Sequence, residues 1–232
     1  MAIPKIIHQI WSDKNRPLPY MFQQLAETWK NCHPNWEYYF WDDNKMNSFI
    51  HKYYPEYTER YNSLPFDIQR WDTIRYLILY EIGGVYVDLD YECLENIEPL
   101  LYGTCCFPKE PIEHNINSKY QGFRFSNSLI AVEPKHPFTK EAIYQILIKK
   151  YQTNYKDKFK EVLSTTGAWM LMDLYLSMKD KSNIHLIDAK YLSPYTGDEI
   201  RRLADGEQSE ELEKKLQSAY AIHYFTGTWM IE

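Results

Sequence analysis

The sequence predicts an α/β fold, and three observations carry that expectation. A helical pattern over residues 65–82 is stopped by Gly83-Gly84 and followed at once by the apolar run Val85-Tyr86-Val87. An apolar strand, a helix and an aromatic strand also succeed one another over residues 3–41, the alternation of an α/β unit. With 232 residues, 44% of them hydrophobic, the chain can bury one substantial core and is short for two.

The first strand covers residues 3–10, β-branched and apolar, and ends at Trp11 before a Ser-Asp-Lys-Asn turn. Pro17 and Pro19 open a helix over residues 20–31, with Met21, Phe22, Leu25 and Trp29 on one face. Residues 36–41, dense in aromatics, form the second strand, and Asp42 or Asp43 caps a helix reaching about Tyr53. Within 65–82, Ile68, Trp71, Arg75, Leu79 and Ile82 recur at spacings of three and four. Beyond the strand at 85–87, residues 103–107, 128–132, 184–186 and 220–225 read as strands. Residues 137 to about 151 and 168–178 read as helices, and the charged stretch 201–218 as a loop carrying a short helix. No repeat or interdomain linker interrupts the chain, so one domain over residues 1–232 with a helix-rich second half is expected.

Composition narrows the function. A net charge of −6 argues against a nucleic-acid partner, which calls for a basic face. Twenty-one tyrosines and seven tryptophans are a surplus; much of it is core and surface packing, and aromatic rings also commonly line sites for sugars and bases. Cys32, Cys93, Cys105 and Cys106 show neither a zinc nor a dithiol spacing, which fits a reducing compartment. The N-terminus has no long apolar segment and no window nears 18 uninterrupted apolar residues, so a cytoplasmic protein is expected. The lysine–tyrosine stretch from Lys149 to Lys160 reads as a solvated face, with peripheral membrane contact as its alternative.

The chemistry centres on Asp88 and Asp90. In a strand, residues i and i+2 share a face, so both carboxylates leave the end of the strand at 85–87 converging on one point. Two such anions repel and resist desolvation unless a cation lies between them, and hard oxygen donors suit Mg²⁺ or Mn²⁺. Alone, this pattern is a polar turn; its surroundings change the reading. Asp72 and Arg75, three apart on the helix, share one face amid apolar neighbours. His223, in the run His223-Tyr224-Phe225-Thr226-Gly227-Thr228-Trp229, offers an imidazole that could serve as a third metal ligand.

Five segments in order resemble glycosyltransferase family 32, the sugar-transferring "DXD" group. They are Ile3-Pro4-Lys5-Ile6-Ile7-His8-Gln9-Ile10-Trp11; the long run from Asp72 through Arg75-Tyr76, Leu79-Tyr80 and Gly83-Gly84 to Asp88 and Asp90; Ser126-Asn127-Ser128-Leu129-Ile130-Ala131 ahead of His136-Pro137; Thr165-Thr166-Gly167; and the closing His223 to Trp229. The resemblance implies a GT-A (Rossmann-like) fold and transfer with retention of anomeric configuration. It implies a donor that is a nucleotide-diphosphate sugar, with UDP the expected carrier of a hexose or N-acetylhexosamine, and a saccharide or glycolipid acceptor in surface polysaccharide synthesis. Residue by residue, it implies that Trp11 stacks on the base while Asp72 and Arg75 hold sugar hydroxyls. Asp88 reaches ribose and metal, Asp90 binds the metal, Asn127 lines the sugar pocket, His223 or Thr228 completes the metal shell, and Trp229 sits near the glycosidic oxygen. The chain departs from the family at Trp71, at Thr228 in place of serine, and at Ala168-Trp169 after Gly167 in place of proline.

A cation held by Asp88 and Asp90 would stabilise charge on the leaving phosphate. Asp72 is the one carboxylate weighed as a nucleophile, and a same-face reaction without a covalent intermediate is preferred. The rival readings are a metal-dependent phosphohydrolase and an inactive carbohydrate-binding homologue.

Overall fold

The fold is given by a computed structural model, which describes residues 2–14, 16–115, 120, 123–149 and 155–230. The elements in order are β1 (Ile6–Ile10), α1 (Tyr20–Cys32), β2 (Glu37–Trp41), α2 (Asp43–Tyr53), α3 (Thr58–Asn62), α4 (Asp67–Ile82), β3 (Gly84–Val87) and β4 (Tyr91–Cys93). They continue with β5 (Cys105–Pro108), β6 (Leu129–Val132), α5 (Pro137–Ile143), α6 (Lys158–Thr165), α7 (Ala168–Ser177) and β7 (Ile184–Ile187). The last are α8 (Ala189–Leu192), α9 (Gly197–Ala204), α10 (Glu210–Leu216) and β8 (Ala221–His223).

Among the described residues the strands form a six-stranded sheet, ordered β2-β1-β3-β6-β5-β7, and a separate ribbon of β4 and β8. β1 runs parallel to both β2 and β3, β6 is antiparallel to β3 and β5, and β7 is parallel to β5. The C-terminal ends of β1, β3 and β5 therefore share one edge with the start of β6. That edge is where an open α/β sheet leaves a crevice for ligands.

The side-chain period of two sorts the core into two layers. Tyr86, Cys105, Phe107, Ile130 and Val132 face one side, packed with residues of α2, α4, α5 and α7. Val85, Val87, Cys106, Leu129 and Ala131 face the other, packed with Trp29 of α1, Tyr91 of β4 and Leu192 of α8. The adjacent Cys105 and Cys106 are thus free thiols on opposite faces of one strand. Trp29 anchors the ribbon to α1 by donating its indole N–H to the Tyr91 carbonyl at 3.0 Å.

Most expected elements are present with shorter ends. The first strand begins at Ile6 because Pro4 has no N–H to give to a ladder, and the expected strand at 220–225 stops at His223. Asp42 caps α2 by accepting from the Lys45 N–H at 2.8 Å. The helix expected to reach about Tyr151 is regular only to Ile143 and continues as a π turn over Tyr144–Ile148; its expected end lies outside the described residues, as do residues 150–154 of the lysine–tyrosine stretch. The charged stretch 201–218 holds the end of α9 and all of α10, two helices where one was expected. The strand β4 was not anticipated, because three residues are too few for a periodic signal.

β1 is buried on both faces, and its polar His8 is satisfied on both ring nitrogens. Trp41 donates its indole N–H to Nδ1 at 3.1 Å, so Nε2 carries the proton and donates to the Gly83 carbonyl at 2.9 Å. Burial, opposed by that carbonyl and by Glu37, lowers the imidazole pKa to about 4. A neutral His8 in the fold and an ordinary one in the unfolded chain make stability decline as pH falls. The expected loss between about pH 6.5 and 4 is on the order of 3 kcal/mol. Urea unfolding across that range measures it, and a flat profile would contradict the neutral assignment.

Gly83 and Gly84 end α4 and start β3 with φ of 72° and 101°. A Cβ on Gly84 would lie 2.6 Å from the Ile6 carbonyl oxygen in the neighbouring strand. Gly84→Ala should therefore cost about 2 kcal/mol or more and lower the Tm by roughly 4–8 °C, read by thermal unfolding.

Candidate active site

The shared edge of β1, β3, β5 and β6 opens into a cleft of about 280 Å³. Trp11, Asp72, Arg75, Asp88, Asp90, Asn127, His223, Thr228 and Trp229, all singled out in the sequence, line it. They arrive from several elements: Trp11 follows β1, Asp72 and Arg75 lie in α4, Asp88 follows β3, Asn127 precedes β6, and His223 ends β8.

Arg75 is buried at the centre. Its guanidinium reaches Asp72 Oδ1 at 3.1 Å and Asp88 Oδ1 at 3.4 Å, donates to the Asn127 carbonyl at 2.9 Å, and lies 4.3 Å from the centroid of the Tyr86 ring. Asp72 is equally enclosed. Asn127 donates to its Oδ1 at 3.0 Å and Thr166 donates to its Oδ2 at 2.8 Å. Burial pushes the Asp72 carboxyl upward, while Arg75, Thr166 and Asn127 oppose it. Both oxygens thus already accept from protein donors, Oδ1 from Arg75 and Asn127 and Oδ2 from Thr166, while the residue still lines the cleft.

The two aspartates converge, but not as successive residues of a strand. β3 ends at Val87, and Asp88-Leu89-Asp90 form a turn closed by the Tyr91 N–H on the Asp88 carbonyl at 3.3 Å. The turn delivers the chain into β4, where Tyr91 pairs with His223 across the ribbon. That pairing sets His223 Nε2 3.3 Å from Asp90 Oδ1, with the Tyr91 ring stacked on the imidazole at 4.3 Å. The other oxygen of Asp90 accepts from the Thr226 N–H at 3.0 Å and hydroxyl at 2.9 Å.

These surroundings push the carboxylates apart. Burial raises the Asp88 carboxyl to about 6, with the charge of Asp90 adding to it and Arg75 opposing. Burial works against Asp90 too, but His223 and Thr226 outweigh it and draw that group down to about 2. Burial would lower the His223 imidazole, and Asp90 beside it reverses the direction.

Ligand atoms of Asp88, Asp90 and His223 all lie within 4.8 Å of one another. Two hard carboxylate oxygens and an imidazole, gathered this closely, are a donor set of the kind that suits Mg²⁺ or Mn²⁺. Thr228 borders the cleft in a short turn over Thr228–Met230, but the hydroxyl that engages Asp90 belongs to Thr226, which the sequence reading passed over. Trp229 stacks on Phe159 with ring centroids 5.7 Å apart and planes nearly parallel, and Trp11 packs edge-on against Phe22. Trp71, Gly167 and Ala168 also line the cleft. Glu110 and Arg124 were missed altogether; both line the cleft, held together at 3.2 Å. No spacing could have paired them, since their meeting depends on how β5 and β6 are brought together.

A mixed α/β sheet with an aspartate pair beyond a strand end and an aromatic-walled cleft beside it is a GT-A fold. The chain belongs to glycosyltransferase family 32, the DXD sugar transferases. The family described as "glycosyltransferase sugar-binding region containing DXD motif" matches residues 19–107. The chain is 34% identical over 174 residues to inositol phosphoceramide mannosyltransferase 1 of Schizosaccharomyces pombe, covering 73% of this chain and 50% of that protein. It is 30% identical over 181 residues to the mannosyl phosphorylinositol ceramide synthase CSH1 of Saccharomyces cerevisiae, covering 78% and 44%. It therefore spans about half the length of these curated relatives. Among solved structures it resembles the PaToxG glycosyltransferase, with a TM-score of 0.53 and 16% identity over 94% of this chain and 89% of that one, a likeness of fold.

Asp72→Ala would leave Arg75 with one carboxylate and deprive the Thr166 hydroxyl and the Asn127 amide of their carboxylate acceptor. Removing one partner of a buried pair costs about 3 kcal/mol, so the urea midpoint should drop accordingly. A change below about 1 kcal/mol would show that Arg75 does not depend on Asp72.

Proposed function

We propose that this chain is a metal-dependent retaining hexosyltransferase, moving sugar from a nucleotide-diphosphate donor to a glycolipid acceptor. The convergence of Asp88, Asp90 and His223 within 4.8 Å, on a cleft already holding a buried arginine, carries the reading. The names of the relatives make mannose the first donor sugar to test and an inositol phosphoceramide the first acceptor.

Asp88, Asp90 and His223 would hold a divalent ion, which when bound would supply Lewis-acid stabilisation of the charge that develops on the leaving diphosphate. The chain's own residues do the rest. Thr226 keeps Asp90 ionised and aimed, and Tyr86 donates to Asp88 Oδ1 at 2.6 Å. Arg75 adds fixed positive potential behind Asp88, in place before the substrate arrives and costing no reorganisation. Trp11 offers a ring for the base and the Trp229–Phe159 stack screens the opposite wall from water.

Asp72, with both oxygens engaged by Arg75, Asn127 and Thr166, serves as the support of Arg75. This favours the same-face course, in which the acceptor hydroxyl bonds the anomeric carbon as the sugar–phosphate bond breaks and its proton passes to the departing phosphate oxygen.

Asp90→Asn should lower transfer by about 10²–10³-fold while the circular dichroism spectrum is kept. The assay uses a panel of nucleotide sugars, with and without Mn²⁺, and inositol phosphoceramide as acceptor. Activity in the variant within tenfold of the unaltered protein would overturn the assignment.

A further inference from the structure

Glu110 and Arg124 are charged groups of the cleft to which the proposed reaction assigns no task. The ends of β5 and β6 bring them together. Lys109 and Phe125 form an antiparallel bridge, and the Glu110 N–H donates to the Arg124 carbonyl at 3.0 Å. Both side chains are largely buried yet open onto the cleft, with Glu110 only 8% exposed.

Their contacts are one-sided. Arg124 Nε lies 3.2 Å from Glu110 Oε2, and His114 Nδ1 lies 3.3 Å from the same oxygen. The tautomer of His114 is fixed, because the Gly197 N–H donates to its Nε2 at 3.2 Å and leaves the proton on Nδ1. Glu110 Oε1 and the two terminal nitrogens of Arg124 have no partner among the described residues. The cleft wall thus presents an acceptor and a pair of donors side by side, with no net charge.

Sheet order fixes which half of the cleft this is. Trp11 follows β1, next to β3, whereas Glu110 follows β5, two strands beyond Asp88 on the other side. At about 4.8 Å per strand, Glu110 stands roughly 10 Å from the Asp88 position, away from the wall that Trp11 offers to a base. We propose that Glu110 and Arg124 form the acceptor subsite and grip a vicinal diol of a cyclic polyol. One hydroxyl donates to Oε1 while its neighbour accepts from the guanidinium. A neutral pair is mismatched to a phosphate, and matched to the ring hydroxyls that a sugar and an inositol have in common. This inference rests on the transferase reading, whose donor side it leaves as it stands.

The test is steady-state kinetics on Glu110→Ala, Glu110→Gln, Arg124→Ala and Arg124→Lys, with thermal unfolding of each. Inositol phosphoceramide in detergent micelles and methyl α-mannoside are the two acceptor probes, and the probe that loses more identifies the source of the diol. The expected result is an acceptor KM raised at least tenfold in the alanine variants, a donor KM moved less than twofold, and partial recovery in Glu110→Gln and Arg124→Lys. If an alanine variant fails to fold, the conservative variant at that position is read for the same split. Donor and acceptor KM moving together, neither moving, or a glycosyl adduct on Glu110 in the mass spectrum would overturn the subsite. So would donor hydrolysis by the unaltered protein with no transfer to either probe. Absence of any sugar-nucleotide turnover by the unaltered protein would instead sink the transferase reading, and this inference with it.

Discussion

Arg75 is a cation taken almost entirely out of water, and the cleft is arranged around the need to compensate it. An uncompensated guanidinium in a protein interior costs several kcal/mol, so its acceptors are held in place as firmly as it is. Asp72 lies on its own helix, Asp88 in the turn after β3, and the Asn127 carbonyl in the approach to β6. Asn127 and Thr166 in turn hold Asp72. One buried charge thereby fastens α4, two strand ends and the α6–α7 junction to a common point. A pocket built this way is rigid before any substrate arrives.

The same charge helps to explain why two carboxylates so close together behave differently. Asp90 is surrounded by the donors of Thr226 and by His223, and so stays ionised far below neutrality. Asp88 has Arg75 and Tyr86, but burial and its acidic neighbour weigh more, and its carboxyl titrates at about 6. The pair combines one fixed anion with one whose charge is sensitive to what enters the cleft. Both protons belong to a coupled system, so apparent values describe the pair.

The sheet was legible in the sequence wherever local patterns carried it. Gly83-Gly84 announced the end of α4 because the chain there needs φ values that other residues resist, and the unbroken apolar run Val85-Tyr86-Val87 announced a buried strand. The site residues were legible as recurring motifs. What could not be read was the agent of their convergence. Asp88 and Asp90 meet through a turn, and His223 reaches them because a three-residue strand, too short to show periodicity, pairs with another. Thr226 was overshadowed by Thr228 because both hydroxyls flank the same glycine, and the backbone path, left-handed at Phe225 (φ 49°) and at Gly227 (φ 57°), is not visible in local pattern. Glu110 and Arg124 belong to no motif; a bridge between two strand ends creates the pair.

The ribbon of β4 and β8 has a consequence for how the centre comes into being. Asp90 and Thr226 stand 136 positions apart, and the large sheet closes without β8. During synthesis the six strands can assemble while the segment bearing His223 is still within the ribosome. The same late segment carries Leu192 and Ala221 into the buried layer beneath the sheet, so the stretch that brings the imidazole to Asp90 also completes the packing that holds Tyr91 beneath it.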